Sequence, residues 1–245
     1  MIEDPYKDLA ERYDWMKLSN PTRDEFFRRL FADHSVTTVL DCACGTGRDL
    51  ILFDSFGCDV HGSDLSESML AQTRKKLSEA NLDIPLKKAD FRNLAEQFKS
   101  HFDAVVCLSN AINEPLEDTE TLQAVLSMKA ILRDGGILVF DQAQTDATMK
   151  KPQRFDPIVN ERDYSRLFVV DHFENKMEVH MFDFIHKESE RDFRHNSFYI
   201  RIRLKDSWDS ILKEAEFANI EYFGDWQFTP YDKDHSRRLI VVAHK

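Results

Sequence analysis

Short apolar runs alternate with helical stripes over the first 145 residues. Residues 7–16 and 22–32 carry apolar positions at helical spacing, and Asn20-Pro21 breaks the chain between them. A β-branched run at 37–43 predicts a buried strand ending in the turn Cys44-Gly45-Thr46-Gly47. The helix at 48–56 stops at Gly57, and a second strand follows at 59–64. Ser66 then caps a helix reaching Glu79. Further strands are predicted at 84–89, 102–108 and 137–141, with a helix at 118–132 before the last of them. This alternation specifies an α/β fold with a parallel sheet covered on both faces.

The pattern changes after strand five. Residues 146–160 read as irregular, with Pro152 and Pro157, and three strands are predicted beyond them at 167–173, 177–186 and 198–204. Asn175 supplies the first turn, and the third strand alternates Phe198, Ile200, Ile202 and Leu204 against Tyr199, Arg201 and Arg203. A helix at 207–218 and strands at 220–226 and 239–244 then resume the parallel unit. The expected organisation is one domain from 1–145 and 206–245, interrupted by a small antiparallel β insert at 146–205.

Composition narrows the function. Of 245 residues only 7 are glycine, and six of these lie in the first 136, which excludes flexible linkers and fibrous repeats. A net charge of −11 opposes phosphate backbones, so no nucleic-acid partner is expected. No apolar stretch is long enough to span a membrane. The start of the chain, MIEDPYKDLAERYDWM, is too charged for a secretory signal, so a cytoplasmic location is expected. Cys42, Cys44, Cys58 and Cys107 read as small buried apolar residues, and neither cysteine nor histidine spacing completes a metal site.

In open α/β sheets ligands bind beyond the carboxyl ends of the strands, where strand order reverses. The first turn begins as G-x-G, but Leu50 stands where a dinucleotide fingerprint needs its third glycine. With Asp41 four residues before Gly45, the turn suits a cationic, phosphate-free ligand such as S-adenosyl-L-methionine.

VLDCACGTGRD, with FDAVVCLSN and LRDGGILVFD, resembles the motifs of class I S-adenosylmethionine-dependent methyltransferases. The resemblance implies their Rossmann-like sheet, mostly parallel with an antiparallel last strand. It also implies a cofactor site built from Asp41, Ala43, Gly45, Asp64, Leu65, Asp90, Phe91 and Leu108. Asp64 would take the ribose hydroxyls, and Asp90 with Phe91 the adenine. Tyr13, in a segment similar to the lid of small-molecule methyltransferases, would touch cofactor and reacting atoms. Arg23 would hold the cofactor carboxylate in a bidentate contact.

The chain is most similar to the glycine/sarcosine N-methyltransferase group, through FDAVVCLSNAIN, NKMEVHMFDF and the ending RRLIVVAHK. That likeness makes Asn110 the residue that aims the acceptor. It also implies one departure, because VFDQAQ places Ala143 where the group carries a carboxylate-binding arginine. Arg201 and Arg203 are the candidates to replace that arginine at the substrate. His180 and His186, on one strand face with Phe182 and Phe184, are weaker candidates for a base. The expected function is methyl transfer to a small molecule, at an amine nitrogen, by in-line displacement. The alternative is a non-catalytic S-adenosylmethionine sensor or partner-binding protein. Self-association is left open.

Overall fold

The computed structural model describes residue 4 and residues 6–16, 20–99, 101–188 and 190–245. Its first five strands are β1 (Thr38–Asp41), β2 (Asp59–Asp64), β3 (Leu86–Lys88), β4 (Phe102–Cys107) and β5 (Leu132–Gln142). The insert contributes β6 (Phe155–Asn160), β7 (Tyr164–His172), β8 (Lys176–Lys187) and β9 (Glu190–Arg201). Two more, β10 (Asn219–Phe223) and β11 (Leu239–His244), close the chain. The main sheet has the order β10-β11-β5-β4-β1-β2-β3, parallel except at β11, which runs against both neighbours. The insert strands form a separate antiparallel sheet in sequence order.

Helices cover both faces of the main sheet. On one face lie α1 (Pro21–Asp33), α2 (Arg48–Asp54) and α3 (Glu67–Glu79), burying Phe26, Phe27, Phe31 and Phe53 against Val39, Val106 and Val242. The short α4 (Leu94–Gln97), α5 (Asp118–Ala130) and, after the brief α6 (Asp146–Lys150), α7 (Lys205–Glu214) cover the other. Trp208 of α7 is fully buried there, its ring 4.6 Å from Phe140. Local signals explain where helices begin. Asn20 accepts the Arg23 N–H with Pro21 in the first turn, and Ser66 accepts the Met69 N–H.

Gly62 sits mid-strand for lack of room. A Cβ there would lie 2.7 Å from Leu50 Cδ1 and 2.8 Å from Leu86 Cδ2. Glycine lets α2 pack directly on β2 beside the turn after β1.

Three expectations need correction. Residues 146–160 are not irregular, because Thr145 caps α6 with a capping box and β6 pairs with β7. Pro157 is tolerated since β6 is an edge strand, and the register shifts beside it. The insert's last strand begins at Glu190 and ends at Arg201, so Arg203 lies outside it. Its first half is charged because it forms the other edge of the sheet. Residues 10–16 wind as a 3₁₀ helix, Ala10–Met16, in place of an α-helix.

This N-terminal helix is bolted to both parts of the molecule. Asp14 accepts from Thr46 Oγ1 at 2.7 Å and from Lys76 Nζ at 2.6 Å. On the insert side, Arg166 Nε and Nη2 grip the Asp183 carboxylate at 2.6 and 2.9 Å. Tyr164 and Arg12 donate to the same carboxylate, and Arg166 Nη2 also donates to the Arg12 carbonyl. Burial raises the Asp183 carboxyl, but the Arg166 and Tyr164 bonds outweigh it and hold the group below the usual range. Both side chains of the Arg166–Asp183 pair are almost wholly excluded from solvent. Removing one partner strands a buried charge. Asp183→Ala is therefore expected to cost about 3–5 kcal/mol in urea unfolding. A loss below about 1 kcal/mol would show that the cluster does not hold the strap.

Candidate active site

A cavity of about 540 Å³ opens at the carboxyl ends of β1, β2 and β4, beneath the N-terminal strap. It lies beside the β1/β4 boundary, where the sheet order reverses. Gly45 forms its rim with φ of +54°, and a Cβ there would meet nothing within 4 Å. The turn backbone is thus open to whatever the cavity holds.

Asp64, at the end of β2, faces the cavity with its carboxylate held by two backbone donors. Gly45 N–H donates to Oδ2 and Ser66 N–H to Oδ1, both at 2.8 Å. Burial pushes its carboxyl up against those two bonds. Asp41 is buried behind the turn, accepts the Ala43 N–H, and is raised well above the usual range by burial and by Asp49. Asp90 lies at the far wall after β3. Burial raises it, but the bonds from Arg92 prevail and keep it low.

Ala43, Leu65, Phe91 and Leu108 also line the cavity, as does Tyr13 from the strap. Tyr13 is pushed up to about 12 by burial and by the neighbouring Glu114 and Asp64, so it stays a neutral phenol. The structure therefore brings nine of the ten expected cofactor residues to one cavity. Arg23 is the exception. Its guanidinium is clamped on Asp49 at 2.7 and 2.6 Å and lies over the adjoining Phe27 and Trp226 rings, 5.0 and 5.4 Å from their centroids. The guanidinium that does line the cavity near Asp49 is Arg48.

The expected substrate residues are placed differently. Asn110 does not line this cavity. It adopts φ of +69° at the turn after β4, and its Oδ1 accepts the Ala143 N–H at 2.8 Å, tying β4 to the end of β5. Arg203 is buried, with Nη1 donating to the Pro115 carbonyl at 3.0 Å and Nε to Asp118 at 3.2 Å. Arg201 pairs more loosely with Asp118, at 3.8 Å. Arg203 thus holds the loop after β4 at Pro115, and both arginines face Asp118 at the start of α5. His180 stacks on Phe182 and His195, on the face of β8 opposite the buried Met181, and His186 lies on that same outer face.

What that loop carries is Glu114, which the sequence reading passed over together with Tyr6. Asn113 donates to Gln142 Oε1 at 2.9 Å and Arg203 pins Pro115, fixing the residue between them. Glu114 projects into the cavity, where Tyr6 donates to its Oε1 at 2.6 Å. The residue is open to solvent through the cavity and the recess it borders. Burial, against the Tyr6 bond and with help from Asp64 and Asp90, pushes it up to about 7. Tyr6 and Glu114 also border a smaller recess of about 170 Å³, completed by Leu9, Asn196, Phe198 and Tyr199. Glu114 thus stands between the cofactor-sized cavity and a pocket walled by the insert.

The donor set fits S-adenosylmethionine. Eight carboxylates and two guanidiniums line the main cavity, a balance that repels phosphate and favours a sulfonium cation.

Comparison with known proteins agrees. A methyltransferase domain family model matches residues 39–136. The chain is 30% identical over 148 residues to a glycine/sarcosine N-methyltransferase of Parasynechococcus marenigrum, covering 59% of this chain and 52% of that protein. The match thus spans about half the length of that relative. A glycine/sarcosine N-methyltransferase of Aphanothece halophytica is 27% identical over 242 residues, covering 96% of this chain and 86% of its own. An S-adenosylmethionine-dependent methyltransferase from Clostridium acetobutylicum shares the fold at a TM-score of 0.84 and 16% identity, covering 98% of both chains. With the strand order, the open turn at Gly45 and an acidic, phosphate-averse cavity already in place, these likenesses converge on a methyltransferase domain at residues 39–136, in the fold of the class I S-adenosylmethionine-dependent methyltransferases, with S-adenosylmethionine as its cofactor.

Proposed function

We propose that the chain methylates the nitrogen of a small amine, with Glu114 as the proton acceptor. The observation that carries this reading is the Glu114 carboxyl, raised to about 7 and shared by the two cavities. An amine must lose a proton before its lone pair can attack, and a base poised near neutrality is suited to take it. Nitrogen is also the methylated atom in the names of the two relatives above. Asp64 is assigned to the ribose hydroxyls, Asp90 and Phe91 to the adenine, and Arg48 to the carboxylate in place of Arg23.

S-adenosylmethionine, when bound, supplies an electrophilic methyl carbon and a thioether leaving group. Glu114 would accept the ammonium proton of the acceptor, leaving the nitrogen lone pair free to take the methyl group that the bound cofactor would supply. Tyr6 fixes the carboxylate rotamer through its 2.6 Å hydrogen bond. Tyr13 and the strap exclude water, so alignment supplies much of the acceleration, which for well-oriented reactants reaches about 7–11 kcal/mol. The recess takes the acceptor's remainder under the β insert. It offers rings, an amide and one carboxylate, and among the described residues no lysine or arginine lines it. That chemistry favours an amine without a carboxylate and disfavours glycine itself.

Three measurements test these assignments. Asp64→Ala is expected to weaken S-adenosylmethionine binding about tenfold to hundredfold in calorimetry, the worth of hydrogen bonds to a charged group. Unchanged affinity would refute the cofactor placement. For Glu114, kcat/KM with an amine acceptor should fall as pH drops through about 7, because protonation removes the base. Glu114→Gln should lose that limb and about a hundredfold or more in kcat. The folded-state value near 7 also exceeds the ordinary 4.5, so the native protein should lose stability as pH rises through that window. The Gln variant should not. A Gln variant with native rate and pH profile would overturn the base assignment.

A further inference from the structure

At the end of the sheet remote from the cavity, three metal-ligand side chains converge from three separate elements. Glu221 of β10 and His244 of β11 share one face as diagonal neighbours, since Asn219 pairs with His244 and Glu221 with Val242. His34 follows the last turn of α1, which packs on that face through Phe27 and Phe31. His244 Nε2 lies 3.0 Å from Glu221 Oε1, and the imidazole centroids of His34 and His244 are 5.0 Å apart at 61°. Among the described residues this is the one trio whose ligand atoms, one from each, all lie within 4.8 Å of one another.

A tetrahedral ion with Zn–N bonds of about 2.0–2.1 Å sets adjacent donor atoms about 3.4 Å apart and imidazole centroids about 5 Å apart. The two rings already stand at that separation. The most distant donor atoms need to approach by at most about 1.4 Å, within reach of side-chain rotation. We propose that His34, Glu221 and His244 bind a late first-row divalent cation, zinc foremost, with the fourth position left to water. Two imidazoles and one carboxylate suit such ions, whereas calcium or magnesium would require a shell of oxygens.

The site is structural in its consequences. Leu239 of β11 pairs with Gln142 at the cavity end, while His244 pairs with Ile137 at the opposite end. A bound ion would fasten the C-terminus of α1 to the β10–β11 edge. The other end of α1 carries Arg23, which braces Asp49 of the cavity wall. Metal is therefore expected to raise stability without touching the reacting atoms.

The test is zinc titration of the full chain, free of any histidine tag, by calorimetry, with cobalt(II) absorption as a second readout. One ion per chain, a tetrahedral cobalt spectrum and a higher melting temperature are expected. His34→Ala and His244→Ala should each weaken zinc binding by about a hundredfold, and Glu221→Gln by at least about tenfold. All three should keep native affinity for S-adenosylmethionine, which shows that they fold. His195→Ala, which removes the His180–His195 contact on the outer β-sheet face, should leave zinc binding intact. No saturable zinc binding by the native chain would overturn the proposal. So would binding that survives His34→Ala and His244→Ala, or binding that His195→Ala abolishes.

Discussion

A parallel sheet whose strand order reverses must leave a crevice at its carboxyl edge, and the chemistry of this molecule collects there. The reversal falls between β1 and β4. The turns after β1, β2 and β4 therefore converge, bringing Gly45, Asp64 and Glu114 to one cavity from positions far apart in sequence. Tight packing keeps the crevice in shape. Leu50 and Leu86 close on Gly62 beneath the turn, and Arg23 holds Asp49 in a bidentate pair at the wall.

An open crevice alone would leave a methyl donor exposed to water. The N-terminal strap closes it, and buried charge holds the strap. Asp183 of the insert gathers Arg166, Tyr164 and Arg12, while Asp14 is held by Thr46 and Lys76 of the main domain. Such a pair gives little net stability over an apolar substitute, but it penalises any register that leaves one member alone. The same strap delivers Tyr6 to Glu114. Closure and orientation of the carboxylate are thus one event, and the insert takes part in both.

Much of this was legible in the chain. Strands buried on both faces read as continuous apolar runs, and the turn after β1 displayed its glycines and Asp41 openly. Asp64, at the end of β2, and Asp90, two residues beyond β3, followed from the resemblance to class I methyltransferases, and both line the crevice. Side chains whose partners lie far away in sequence were less legible. Arg23, Arg203 and Asn110 looked free to meet ligands, and each is engaged by protein: Asp49, Pro115 with Asp118, and Ala143. Glu114 was not singled out, because nothing local shows that its surroundings will raise its pKa against the Tyr6 hydrogen bond. The insert's edge strands escaped notice because proline and charge, which protect an edge from pairing, also hide its period of two. The trio at 34, 221 and 244 has no spacing at all until the sheet forms.

The central claim is that the reacting methyl group meets its acceptor beside the Tyr6–Glu114 pair. It is tested most directly by a crystal structure with S-adenosylhomocysteine, the demethylated form of the cofactor, in the cavity. The account predicts ribose hydroxyls on the Asp64 carboxylate and the sulfur facing the Glu114 carboxyl, with the recess under the β insert beyond it. A ribose held elsewhere, or a sulfur turned away from Glu114, would contradict it.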